Sequence, residues 1–140
     1  MNSQKFLIGT LVGGVSLFLL GYLFYGAALS DFFSKHVVAG SMKPMNEIVW
    51  WALVLGNLST GALLTYIFLK MGNVHSFGTG VRIGAAIGFF MSLGYDLVGY
   101  ATANSMDRTG AVADVAVGTV MIAIAGGIIA AVLGMGKKKA

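Results

Sequence analysis

The chain has 140 residues, 57% of them hydrophobic and only 10% charged, with a formal charge of +4. A globular domain carries about 25% charged residues, and a soluble fold of this length has no core large enough to enclose four long apolar blocks. The positive charge does not imply nucleic acid, because no basic stripe is interleaved with aromatics and three of the nine basic residues are the terminal Lys137, Lys138 and Lys139, which suit an anchor beside anionic lipid.

Each block is near the roughly 20 residues that a spanning helix needs. The pattern predicts a single all-α transmembrane domain, a four-helix bundle with spans over about 6–24, 47–68, 83–104 and 111–135. Its obligatory partner is the lipid bilayer. Cysteine is absent, which removes disulfides, thiolate metal sites and Cys nucleophiles. The first apolar run is too long and too rich in glycine for a signal peptide and is read as a span.

Span one carries Gly9 and Gly13 on one face, a spacing that permits close helix approach. Tyr22, Phe24 and Tyr25 near its end suit an interfacial aromatic belt. The connection over 28–46 is the longest. There Leu29, Phe32, Phe33, His36 and Val37 fit one face of a short helix lying at the interface, or else a mobile loop. His36 and His75 lie in different connections, without the three or four ligands a metal or haem site needs, so no metal is expected.

Span two opens on Trp50 and Trp51 and holds Asn57, Ser59 and Thr60 at membrane depth. These side chains either line a pocket or make interhelical hydrogen bonds, which average about 0.6 kcal/mol and require no function. Span three, after a glycine-rich connection over 70–82, pairs Gly84 with Gly88 and carries Asp96 inside its apolar run. A carboxylate there costs roughly 2.5–3.5 kcal/mol on insertion scales, so it needs a partner or water. Asp96 is therefore the strongest functional clue, as a proton or ligand site, as a neutral hydrogen-bonded helix lock, or as a contact to a neighbouring protomer. Span four is chemically plain apart from Thr119 and Asp114, the latter placed about one turn inside its start, where the helix dipole alone accounts for a carboxylate.

Asp96, Tyr95, Tyr100, Asn57 and Asp114 are the ligand- or proton-binding candidates; Gly9, Gly13, Gly84 and Gly88 are the helix-packing candidates. On these bounds Asp96 and Asp114 differ in depth by roughly 8–10 Å at 1.5 Å per residue, which argues against direct pairing. Asn57, Tyr22 or a protonated group is then the alternative partner of Asp96, and Arg108 that of Asp114. No nucleophile–base pair, H-E-x-x-H or phosphate-binding glycine loop occurs, so neither catalysis nor a cofactor is indicated.

Lys5, Lys70, Arg82 and the three terminal lysines fall on one side, against Lys35, Lys43 and Arg108 on the other, which predicts cytoplasmic termini. All five carboxylate side chains fall in the outer half. Leu20-Gly21-Tyr22 and Leu93-Gly94-Tyr95, each after a pair of spaced glycines, suggest two hairpin repeats of the same orientation.

The run from Gly84 through Tyr95-Asp96-Leu97, followed by Asp114 and Gly118, resembles small four-span bacterial membrane proteins known only as domains of unknown function. Those carry a Tyr-Asp-Leu-Thr-Asn-like segment and an Asp-x-x-Trp-Gly-like segment; Val98, Gly99 and Val117 depart from it here. The resemblance implies a bacterial inner-membrane bundle and no activity. The expected function is that of a helix-packing accessory, scaffold or binding protein in a homo-oligomer or larger membrane complex. The alternative is a small-molecule or ion transporter or channel with an outer acidic pocket around Asp96.

Overall fold

In the computed structural model, which describes residues 1–136, the chain is all-helical. Four helices are long and apolar enough to cross a membrane, which makes this an integral membrane protein. The terminal lysines at 137–139 lie outside the described residues.

Helix α1 (Ser3–Gly21) starts where the Asn2 side chain accepts the Lys5 amide. It runs directly into a π-helical segment, Tyr22–Ala28, which closes with the Leu29 amide donating to the Phe24 carbonyl, five residues back. A short helix α2 (Ser30–His36) and a 3-10 turn (Met45–Glu47) lead into α3 (Trp50–Met71). Helix α3 stops at Gly72, whose left-handed φ of 72° is open to glycine without strain. Helix α4 (Phe77–Thr102) is capped by Ser76, and α5 (Arg108–Gly134) by Asp107.

These caps move the expected boundaries. Ser76 starts span three at Phe77, so Arg82 lies within the helix and the connection before it is short. Asp107 starts span four at Arg108, three residues before the expected position. Span two begins at Trp50 and reaches Met71.

The spans form two antiparallel hairpins, α1 with α3 and α4 with α5, joined mainly where α1 packs on α5. Helix α5 is the centre: 44% of its most apolar stretch is buried, against 11% in α4, which packs almost wholly on α5. The core gathers Val117, Met121, Ile129 and Leu133 of α5 with Leu17, Leu64 and Phe68.

Glycines set the approach of both hairpins. A Cβ on Gly61 would lie 2.7 Å from the Gly14 nitrogen and 2.8 Å from the Thr10 oxygen, so α1 and α3 touch backbone to backbone. Gly9 faces Thr65 there, and Gly13 faces Gly61. In the second hairpin a Cβ on Gly80 would stand 2.5 Å from the Ala130 Cβ, one on Gly84 3.4 Å from the Gly126 Cα, and one on Gly88 2.8 Å from the Ile122 Cβ. Each step is four residues forward on α4 and four back on α5. That is the register of a close antiparallel pair.

The bundle thus has two ends. The first face holds the start of α1, the α3–α4 connection and the end of α5. The second face holds α2, the long connection and the α4–α5 connection.

Candidate functional site

The α4–α5 ladder continues past its glycines. Ser92 meets Gly118, a Cβ on which would lie 3.1 Å from the Ser92 Cβ. One turn further, Asp96 meets Asp114, their carboxyls within hydrogen-bonding reach of each other. The expected depth mismatch does not exist. Asp96 stands six residues before the end of α4 and Asp114 six after the start of α5, so both lie about 9 Å inside the helix ends. The N-cap at Asp107 produced the change by starting α5 early, and it also takes Asp114 out of the first turn. The helix dipole is concentrated in that turn, so it no longer accounts for the carboxylate.

Asp114 accepts a hydrogen bond from the Tyr25 hydroxyl, contributed by the π-helical end of α1. Three spans therefore converge on two carboxyls and one phenol. Asp96 Oδ2 is shielded from solvent and meets no donor of the protein. Two carboxylate oxygens cannot bond to each other without a hydrogen, so a pair of carboxyls this close is suited to sharing a proton.

The second-face side of the cluster is covered by α2. The buried Phe33 ring packs on Tyr25 with centroids 5.1 Å apart, and Phe32 meets Phe33 edge-on at 5.3 Å. Of the two expectations for this stretch, the short helix is what forms. Its end is held outside the membrane, where His36 Nδ1 donates to Asp107 Oδ2 at 2.7 Å and the Asp107 amide donates to the His36 carbonyl at 2.9 Å. The Val38 amide donates to the Ser105 carbonyl at 2.9 Å, beside a bridge between Val37 and Met106. The Gly110 amide, and then the His36 ring, hold the exposed Asp107 carboxyl below the usual carboxylate range.

The other candidates stand apart. Tyr95 is 80% exposed and Tyr100 50%, both on the outward side of α4. Tyr22 is exposed as well and does not partner Asp96. On α3 the Asn57 amide donates to its own Leu53 carbonyl at 2.9 Å, and the side chain borders an open apolar groove against Gly14, Val15 and Phe18 of α1, away from the carboxyls. Ser59 and Thr60 likewise bond to carbonyls four residues back. Arg108 forms no ion pair with Asp114; among the described residues the one ion pair is His36–Asp107. No group of three His, Cys, Asp or Glu side chains among the described residues is placed to hold a metal.

Tyr25 is the member that sequence reasoning assigned elsewhere, to the aromatic belt. It lies 89 residues from its partner, and nothing local signals such a bond. The Asp96–Asp114 pairing did have a signal. Gly80, Gly84, Gly88 and Ser92 step by four toward Asp96, as Ala130, Gly126, Ile122 and Gly118 step by four toward Asp114.

Set against protein-family models, curated proteins and solved structures, the chain matches none.

Proposed function

We propose that this integral membrane protein binds a proton between Asp96 and Asp114 and exchanges it with the second face, as a small non-enzymatic transporter or channel. The observation that supports this is the meeting of the two carboxyls beneath α2, with Tyr25 donating to one and an oxygen of the other left without a protein donor. Two ionised carboxylates side by side at membrane depth repel each other and are each costly to insert. No Lys, Arg or His among the described residues forms an ion pair with them, and one shared proton would relieve the repulsion between the two. Two carboxyls and a phenol are few ligands for a calcium ion, which takes 6–8 oxygens, whereas one proton satisfies both carboxyls. We take the first face as cytoplasmic and the membrane as a bacterial inner membrane, from the basic residues.

The test combines chemistry and flux. A lipid-soluble carbodiimide, which reacts with protonated carboxyls, is expected to modify Asp96 or Asp114 in the purified protein. In liposomes under an imposed potential, a pH dye is expected to report proton entry that falls at least tenfold in Asp96→Asn. Absence of modification together with flux equal to that of empty liposomes overturns the proposal. Flux of sodium or potassium in place of protons reassigns the site to a metal cation.

A helix-packing role in a homo-oligomer or larger membrane complex is the second reading. It is favoured by α4, whose Phe90, Tyr95, Leu97 and Val98 are exposed and whose Gly94 and Gly99 meet nothing within 4 Å. By contrast, Gly9, Gly13, Gly84 and Gly88 are used within the chain. The resemblance of Tyr95-Asp96-Leu97 and Asp114 to four-span proteins of unknown function adds no activity to either reading.

A further inference from the structure

At the opposite end of the molecule from the carboxyl pair, the start of α1 and the end of α5 diverge around an open groove of about 340 Å³. Its polar rim is Asn2, Gln4 and Lys5, and its apolar wall is Ile8, Val132 and Leu133. Ligand clefts span roughly 300–1,000 Å³, so the groove is of headgroup size.

Its electrostatics are one-sided. All five carboxylate side chains of the chain (Asp31, Glu47, Asp96, Asp107 and Asp114) belong to the second-face half. Lys5, Lys70 and Arg82 at the first face form no ion pair among the described residues, and Lys70 instead lies over the Tyr66 ring at 5.7 Å. In sequence, Lys137, Lys138 and Lys139 follow two residues after Met135, which also borders the groove. Among the described residues, this face therefore holds cations with no carboxylate side chain paired to them. The groove combines a cation at the headgroup level with an apolar wall running into the bilayer. Free phosphate matches only the first of these, and an anionic phospholipid matches both.

We infer that the groove between the start of α1 and the end of α5 is a binding site for an anionic phospholipid, with Lys5 on the headgroup phosphate and Ile8, Val132 and Leu133 against the upper acyl chain. The inference is independent of the carboxyl pair.

The full-length protein is reconstituted in bilayer discs of phosphatidylglycerol and phosphatidylcholine in equal parts, and the lipid retained on gentle extraction is counted by native mass spectrometry. Preferential retention of phosphatidylglycerol is expected. Lys5→Gln is expected to cut that preference roughly fivefold, the effect of one lysine near an anionic surface. Lys5→Arg should keep it, as should Lys35→Gln on the second face, and added inorganic phosphate should not displace the lipid. Equal retention of the two lipids by the unmutated protein overturns the inference, as does an unchanged preference in Lys5→Gln or displacement by phosphate. The unmutated protein and Lys5→Arg carry the decision even if Lys5→Gln fails to fold.

Discussion

Among the described residues, the Tyr25 hydroxyl is the only protein donor to Asp114, and its ring is also the floor on which Phe33 of α2 rests. Tyr25→Phe separates the two roles, because it keeps the ring and removes the hydroxyl. A hydrogen bond to a charged group is worth about 1.5–3 kcal/mol. Tyr25→Phe is therefore expected to lower unfolding stability in detergent by roughly that amount if Asp114 is the charged member of the pair, and by nearer 1 kcal/mol if it is the protonated one. Reversible unfolding followed by helical circular dichroism reads the difference. Asp96→Asn tests the neighbouring contact from the other side. An amide supplies the donor that Asp96 Oδ2 lacks without adding charge, so stability is expected to hold or rise while carbodiimide modification at position 96 disappears. A strong loss of stability would mean that Asp96 is held by an ionic partner.

Among the elements, the close helix pairs give the sharpest contrast. Gly61 and Gly56 lie on the same helix, yet a Cβ on Gly61 runs into the α1 backbone whereas one on Gly56 meets nothing within 4 Å. Gly61→Ala is expected to cost about 1–3 kcal/mol, since backbone cannot yield as a flexible side chain does. Gly56→Ala is expected to gain up to about 1 kcal/mol from helix propensity; equal effects at the two sites would show that α1 and α3 do not approach as described. The same seams explain what the sequence made legible. Block length and polarity identify four spans, and four-residue steps of small residues hold the register that pairs Asp96 with Asp114. Helix starts hide that pairing, because a fourth span taken to begin at 111 starts three residues after the observed Arg108. An Asp immediately before an apolar run is an N-cap signal, so this much was readable. The π-helical segment that presents Tyr25 was not, for it reflects contacts with distant elements. Asp107 also makes the second-face junction sensitive to acid. Its carboxyl is held below its unfolded value of about 3.9, so its capping contribution is present above that pH and is lost as pH falls through the lower folded value. The Gly110 amide, which donates to Asp107 Oδ1 at 2.7 Å, should move upfield in nitrogen-resolved NMR only below about pH 4. A midpoint above that value would contradict the geometry.

Charge is divided between the ends of the molecule: among the described side chains the second face carries acids and bases together, and the first carries Lys5, Lys70 and Arg82 with no acid. Lys and Arg near span ends set orientation, and the six-to-three division of basic residues read from the sequence supports the proposal that the first face is cytoplasmic. The proposed proton exchange depends on this, since orientation decides from which compartment the carboxyl pair beneath α2 is reached. Because the chain has no cysteine, two single substitutions at exposed connection residues read the orientation without background. Ser41→Cys lies in the connection after α2, and Asn73→Cys in the short connection between α3 and α4. With a membrane-impermeant maleimide on intact bacterial cells, Ser41→Cys is expected to label directly and Asn73→Cys only after permeabilisation. The reverse pattern would turn the protein over, open the carboxyl pair to the cytoplasm and place the basic groove in the outer leaflet. Labelling of both in intact cells would mean two orientations in one membrane, which the six-to-three division of basic residues opposes.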